Sequence, residues 1–271
     1  MLNSNFLGNE MNKHSKERLT NSPPIIHHLP AKAGIHWIYS AWQQFKTFPF
    51  TWMTLTVLYG LINFICTQPF FLMVVMPIFS GGLFIAAAAA DSGAKPRLRH
   101  LLGAFTKAHA PKLIVTAILW FALACTFSLL LFFTLLGMGL IEPLMTYVRT
   151  LLSASPASFS LIALAIMLGL YWIIAYLLLA YELILGLIIF NDLSIFMAFR
   201  IAFFACLRNW RPLTFYMVVC SILELLSLLP LLMGWRGSLF VLLSWIILFP
   251  ILSISHFYMW KHFFTTLEPE K

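Results

Sequence analysis

"SLIALAIMLGLYWIIAYLLLAYELILGLII", residues 160–189, is the stretch that decides the fold. Its roughly 30 residues hold a single carboxylate, Glu182, and no lysine or arginine; as a helix they would reach about 45 Å. Backbone amides in hydrocarbon must be satisfied within their own segment, so an apolar run of about 18 residues or more reads as a membrane-spanning helix. One of this length must tilt strongly or emerge from the bilayer.

Five further runs of the same kind lie near residues 49–67, 70–90, 111–136, 212–232 and 238–260. The whole chain agrees with them. Of 271 residues 61% are hydrophobic and only 10% charged, and the mean hydropathy is +0.91, whereas soluble domains are roughly 45–50% apolar and about 25% charged. The expected fold class is all-α: a polytopic membrane protein of six transmembrane helices arranged as three hairpins. "TQP" (67–69) and "MGWRGS" (233–238) make the first and third hairpins tight, and "EPLMTYVRTLLSASPAS" (142–158) joins the second more loosely.

The net charge of +8 is read through this topology rather than as a nucleic-acid footprint. Fifteen of the 17 Lys and Arg residues fall in the two termini and the second and fourth loops; only Arg149 and Arg236 fall opposite. By the positive-inside rule both termini are cytoplasmic, and Trp37, Trp42, Trp52, Trp210 and Trp260 sit at the cytoplasmic rim. Residues 1–31 read as a disordered cytoplasmic tail, 32–264 as one six-helix membrane domain and 265–271 as a short second tail. Met11 is an alternative start within the first tail, which has no apolar run long enough for a signal peptide. His27 and His28 lack a second pair at ligand spacing and read as solvated. Cys66, Cys125, Cys206 and Cys220 stand singly in apolar surroundings and read as small core residues.

Three approaches to the spans look alike. "AWQQFKTFPF" (41–50), "LLGAFTKAHA" (101–110) and "FFACLRNWRP" (203–212) align without gaps, each leading into a span. In the second, Leu98, Leu101, Leu102 and Phe105 recur at helical spacing with Arg97, His100, Thr106 and Lys107 opposite. Ile35, Ile38, Trp42 and Phe45 keep that spacing in the first. The third, capped at Asn191 or Asp192, is more apolar and deeper. Each hairpin is therefore expected to follow an amphipathic interfacial helix, with Arg97, Arg99, Lys107, Arg208 and Arg211 as contacts for anionic lipid. The unequal spacing of the three copies leaves chance similarity as the alternative to a repeat.

"MPIFSGGLFIAAAAADSGAKPRLRHLLGAF" (76–105), "NDLSIFMAFRIAFFACLRNWRPL" (191–213) and "SISHFYMWKHFF" (253–264) resemble an uncharacterised bacterial family of six-helix inner-membrane proteins. That family is similar to the membrane-embedded domain attached to some glycerophosphodiester phosphodiesterases. The resemblance covers roughly residues 33–264 and implies a bacterial cytoplasmic-membrane location. It brings no catalytic residues, and the tail before residue 32 departs from the pattern.

Ionisable groups inside a span are costly and mark candidate function. Glu224 lies about 20 Å deep, with Asn63 at the matching depth and Tyr176, Ser244, Thr126 and Pro77 near the same layer. The competing reading makes Glu224 a neutral acid bonded to a neighbouring helix. Glu182 is expected near the cytoplasmic interface, paired with Arg200, Arg208 or His256; a metal there would need more ligands than the sequence offers. Gly82, Ala86 and Ala90 form a small-residue stripe for close helix packing. No nucleotide loop, nucleophile triad or paired carboxylate appears, so no catalytic residue, metal or cofactor is expected. The expected function is a non-enzymatic lipid-interacting or scaffolding component of the membrane; the alternative is a small transporter or lipid translocator using Glu224. Membrane lipids, anionic ones in particular, are the expected partners, nucleic acid is not, and a second copy of the chain or another membrane protein stays open.

Overall fold

In the computed structural model the described residues are 24–65, 69–105, 109–139, 141–142, 145–146, 161–230 and 234–265, and among them there is no strand. Every apolar run forms a helix. The first and second are α2 (Pro49–Ile65) and α3 (Pro69–Asp91), preceded by α1 (Ala33–Thr47). A single turn, α4 (Leu98–Leu101), leads to α5 (Ala110–Gly137) and then α6 (Leu161–Asn191). Next come α7 (Ile195–Arg208), α8 (Trp210–Leu228) and α9 (Trp235–Phe264). Four segments are long and apolar enough to cross a membrane: Ala110–Gly137, Gly169–Asn191, Trp210–Leu228 and Leu239–Phe264. Pro49–Ile62 and Met76–Asp91 are shorter apolar helices.

The buried residues gather at one end of these helices. Trp52 and Leu55 at the start of α2, Leu113 and Ala117 at the start of α5 and Leu213 and Tyr216 at the start of α8 are all core. So are Phe84 to Ala87 late in α3, Leu183 to Ile189 late in α6 and Ile254 to Phe264 late in α9, apart from partly buried residues within these stretches. Starts of three helices and ends of three others thus share one packed layer. Two ion pairs rim it: Lys112 Nζ to Asp192 Oδ1 joins the start of α5 to the end of α6, and Lys261 Nζ to Asp91 Oδ2 joins α9 to α3, each at 2.6 Å.

Helix α1 belongs to this core, and the face it buries is rotated from the one its pattern names: of the four pattern residues Phe45 is buried and Ile38 partly so. Trp37, Ala41, Gln44 and Phe45 point inward, while Ile35, Tyr39 and Trp42 are exposed. The reason is chemical pairing. Trp37 Nε1 donates to His262 Nδ1 at 3.1 Å, and Gln44 Nε2 donates to the Ala87 carbonyl at 2.7 Å. Gly34 lets the helix cross α8 so closely that a Cβ there would lie 2.4 Å from the Pro212 oxygen. Of the five tryptophans expected at a rim, Trp37, Trp52 and Trp260 are therefore core, and Trp42 and Trp210 are exposed.

The second amphipathic helix is reduced to one turn. Leu98, Leu102 and Phe105 are exposed, and Leu101 and Ala104 are buried against α3, where Gly82 would put a Cβ 2.1 Å from the Leu101 oxygen. The small-residue stripe of α3 receives this turn rather than another spanning helix at Gly82.

Helix α7 starts after Ser194, not at Asn191 or Asp192, because Asp192 adopts φ 50° and the chain reverses there. The return is antiparallel to α6. Trp210, just past α7, accepts a hydrogen bond through its carbonyl from Tyr176 Oη at 2.9 Å, and the 14 residues of α7 match the climb from Tyr176 to Asn191, about 21 Å each way. Ala198, Ala202 and Ala205 are its buried face, which explains why this approach is the most apolar of the three.

The segment expected as a solvated tail is, over residues 24–30, tied to the bundle. Asn209, fully buried at the α7–α8 corner, accepts from the Leu29 amide at 2.9 Å and donates to the His27 carbonyl at 2.9 Å and the Ala205 carbonyl at 3.2 Å. The His27 amide donates to the Phe263 carbonyl at 3.0 Å. Buried backbone groups need partners, and one asparagine supplies several of them. Cys206 and Cys220 are core as expected, Cys125 is exposed, and Cys66 lies outside the described residues.

Candidate functional site

Five helices converge on a cavity of about 200 Å³. Tyr59 comes from α2, Ser80, Leu83 and Phe84 from α3, Glu182 from α6 and Glu224 from α8. Helix α9 contributes Trp245, Phe249, Leu252, Ser253 and His256. The local reason for the last set is spacing: positions 245, 249, 252 or 253 and 256 follow the 3.6-residue period, so one face of α9 forms a wall.

The polar groups are sparsely bonded. Glu182 Oε2 lies 3.9 Å from His256 Nδ1, beyond hydrogen-bond reach. Both side chains are about one-fifth exposed, and both line the cavity. Tyr59 Oη and Ser80 Oγ are 3.3 Å apart, joining α2 to α3, and the Tyr59 and Phe249 rings meet at a tilt of 33° with centroids 5.0 Å apart. Just behind this wall, Tyr216 Oη and Ser255 Oγ are hydrogen-bonded at 2.6 Å in the dry core. The cavity is thus walled by aromatic rings and floored by carboxyls, with no lysine or arginine among its lining residues.

The sequence reading named Glu182 and Glu224 separately, at different depths; the structure brings them to one cavity. It also selects His256 over Arg200 and Arg208 as the ion-pair partner of Glu182 among the described residues. The other members of the expected polar layer disperse. Tyr176 is spent on the Trp210 carbonyl and on Thr214 Oγ1, locking α6 to the first turn of α8. Thr126 is exposed and donates to its own helix at Ala122, and Ser244 donates to the Val241 carbonyl of its own helix and to the Ser227 carbonyl of α8. Such hydroxyls find carbonyl partners away from the cavity, so depth along a helix is a poor guide to what faces it. The Asn63 side chain lies outside the described part of α2. Among the described residues no group of three metal-ligating side chains comes together.

Tyr59, Ser80, Trp245, Phe249 and Ser253 were missed. Tyrosine, serine and tryptophan are ordinary in apolar helices, and only their convergence marks them. The stripe of Trp245, Phe249, Ser253 and His256 down one face of α9 was the signal available.

The expected lipid contacts fall into two groups. Arg97, Arg208 and Arg211 are exposed at the packed end, with the Arg211 guanidinium 5.4 Å from the Trp210 ring centroid. Arg99 is exposed too but engaged with other groups of the protein, and Lys107 lies outside the described residues. His100, beside them, is buried: its Nδ1 accepts from the Arg97 amide at 3.2 Å. Burial first, then the Arg99 and Arg97 charges, hold its imidazole pKa below the usual histidine value.

Comparison with models of protein families, with curated proteins and with solved structures finds no match to this chain.

Proposed function

We propose that this chain is a small transporter or lipid translocator that holds its ligand in the cavity between α2, α3, α6, α8 and α9. One observation carries the reading: two intramembrane carboxyls and a histidine, the residues a membrane protein retains only at a cost, face a common cavity rather than packed neighbours. In this reading α2, α3, α5, α6, α8 and α9 all cross the bilayer, as three hairpins. The packed end with its excess of lysine and arginine lies in the cytoplasm, together with both termini. The resemblance noted in the sequence supports a bacterial inner-membrane location for it. In this reading the chemistry of the cavity is binding and release.

A screen of thermal stability in lipid nanodiscs, across small cations, anions, sugars and neutral amphiphiles, tests this. At least one class should raise the melting temperature, and Ser253→Trp, which fills the cavity, should abolish the rise. No rise with any class, or a rise that survives Ser253→Trp, overturns the proposal.

A second reading, a lipid-organising or scaffolding role, is favoured by the exposed aromatic and basic groups of the packed end: Leu98, Leu102 and Phe105 beside Arg97, and Trp210 beside Arg208 and Arg211. Each basic group near an anionic surface contributes roughly 1 kcal/mol. Replacing Arg97, Arg208 and Arg211 with glutamine should then reduce the phosphatidylglycerol retained by the purified protein; an unchanged lipid complement would speak against this role.

A further inference from the structure

The geometry points to a small organic cation, an ammonium head of about the size of choline, as the ligand class of the cavity; this rests on the carrier reading above. Charge, wall chemistry and hydrogen bonding each bear on that choice.

Charge comes first. Two carboxyl side chains, Glu182 and Glu224, and the imidazole of His256 line the cavity, and no arginine or lysine does. An anionic ligand would meet two carboxyls and no cationic clamp, the reverse of how phosphate or carboxylate ligands are held. A neutral ligand would leave the carboxyls without a counter-charge in a low-dielectric enclosure, an arrangement a cation relieves.

Wall chemistry comes second. Tyr59, Phe84, Trp245 and Phe249 surround the carboxyls, and aromatic faces attract ammonium groups, tryptophan and tyrosine most strongly and desolvated sites most of all. Four rings around acids is the lining of an organic-cation site, whereas a bare metal ion asks for a shell of oxygen donors at short range.

Hydrogen bonding comes third. Among the described residues the Glu182 carboxyl has no partner apart from the distant imidazole of His256, and it stands at the edge of the most deeply buried stretch of α6, next to Leu183 to Ile189. A ligand cation is the partner this position lacks.

Protons compete with the cation for the same oxygens, so acid weakens binding. The titratable groups facing Glu182 are Tyr59 on α2, Tyr181 on its own helix, Tyr216 and Glu224 on α8, and His256 on α9. Helix α3 presents Ser80, Leu83 and Phe84 there, none of them charged.

The test is isothermal titration of the full chain in phosphatidylglycerol nanodiscs with three probes of one shape and different charge: choline, 3,3-dimethylbutan-1-ol and 3,3-dimethylbutanoate. Choline should bind, the neutral and anionic isosteres should bind at least about tenfold more weakly, and Glu182→Gln and Glu224→Gln should each weaken choline by about tenfold. For the unmodified protein, choline affinity should fall as pH is lowered from about 8 to about 6, by up to about tenfold per pH unit for each proton displaced; this arm needs no variant to fold. Adding phosphatidylethanolamine to the nanodiscs separates two sources of the ammonium group. If a lipid head group is the occupant, choline binding weakens in its presence; if the occupant is water-soluble, choline binding is unchanged. Equal or tighter binding of the neutral or anionic isostere, or choline binding indifferent to both glutamates and to pH, overturns the cation assignment and leaves the carrier reading standing. Failure of all three probes overturns the assignment as well, and the broader stability screen then decides the carrier reading separately.

Discussion

The two ends of the same helices are built by different rules. Along α6, Leu183, Leu185, Leu187 and Ile188 have no exposed surface, whereas Tyr171, Ile173, Ile174 and Leu178, one to three turns earlier, are about half exposed. Helix α5 repeats the contrast between Leu113 and the run from Phe121 to Leu136, and α9 repeats it between Phe263 and the stretch Leu239 to Leu243. At the packed end α1, α4 and α7 fill the gaps between helices, and Asn209, Trp37 and Gln44 satisfy backbone and side-chain groups from distant parts of the chain. At the other end the described helices stand with apolar side chains outward in most directions, a surface suited to lipid. The cavity occupies the frontier: Tyr59, Glu224 and Trp245 sit where packing gives out, and Ser80, Glu182 and His256 where it begins. In the carrier reading proposed above, the packed end holds the site and the sparsely packed end opens it.

The sharpest way to break this contrast is one substitution made at both ends. Gly82→Ala puts a Cβ into the Leu101 backbone and should cost about 3 kcal/mol, read as the shift in unfolding by steric trapping in micelles. Gly169→Ala meets no atom within 4 Å and should stabilise by about 0.5 kcal/mol, since alanine is the better helix former. Equal effects at both positions would erase the distinction.

Next in size is the hydrogen-bonded corner. Asn209→Ala strips partners from the Leu29 amide and the His27 carbonyl and should cost about 2 kcal/mol, with residues 24–30 becoming sensitive to protease. At the open end Ser221→Ala removes only its bond to Tyr171, besides one to its own helix, and should cost about 0.6 kcal/mol. A similar loss for the two would mean that the strap contributes no more than a lipid-facing contact.

A pH effect is smaller. His100 is held below the usual histidine pKa in the fold, so the neutral ring is favoured there. Its contribution is present above about pH 6.5 and is lost as pH falls through the lowered value, when protonated Nδ1 can no longer accept from the Arg97 amide. Trypsin cleavage at Arg97 and Arg99 should rise on acidification, and less so in His100→Asn. Smallest of all, Lys112→Met should change stability by under about 1 kcal/mol, because its pair with Asp192 is half open to solvent.

How much of this was legible varies with the kind of signal. Hydrophobic length located the six long helices to within about four residues, because burial in lipid acts on runs. Glu182 and Glu224 stood out for the same reason: a charge in such a run is rare. The face assignment at α1 fits Phe45 but not Ile35 and Trp42, which Trp37 and Gln44 displace through partners more than 40 residues away. The reversal into α7 was hidden because Asp192 reads equally well as a helix cap. That the two glutamates meet followed from no local pattern, since it depends on how α6 and α8 pack against α9.

Chemical access to the cavity tests the central claim most directly. In a variant lacking the native cysteines, Ser253→Cys should react with a cationic methanethiosulfonate at least about tenfold faster than with an anionic one. Leu225→Cys on the exposed face of α8 should show no such preference. A Ser253→Cys thiol that stays unmodified, or reacts equally with both reagents, would contradict a ligand-accessible, cation-selecting cavity at this place.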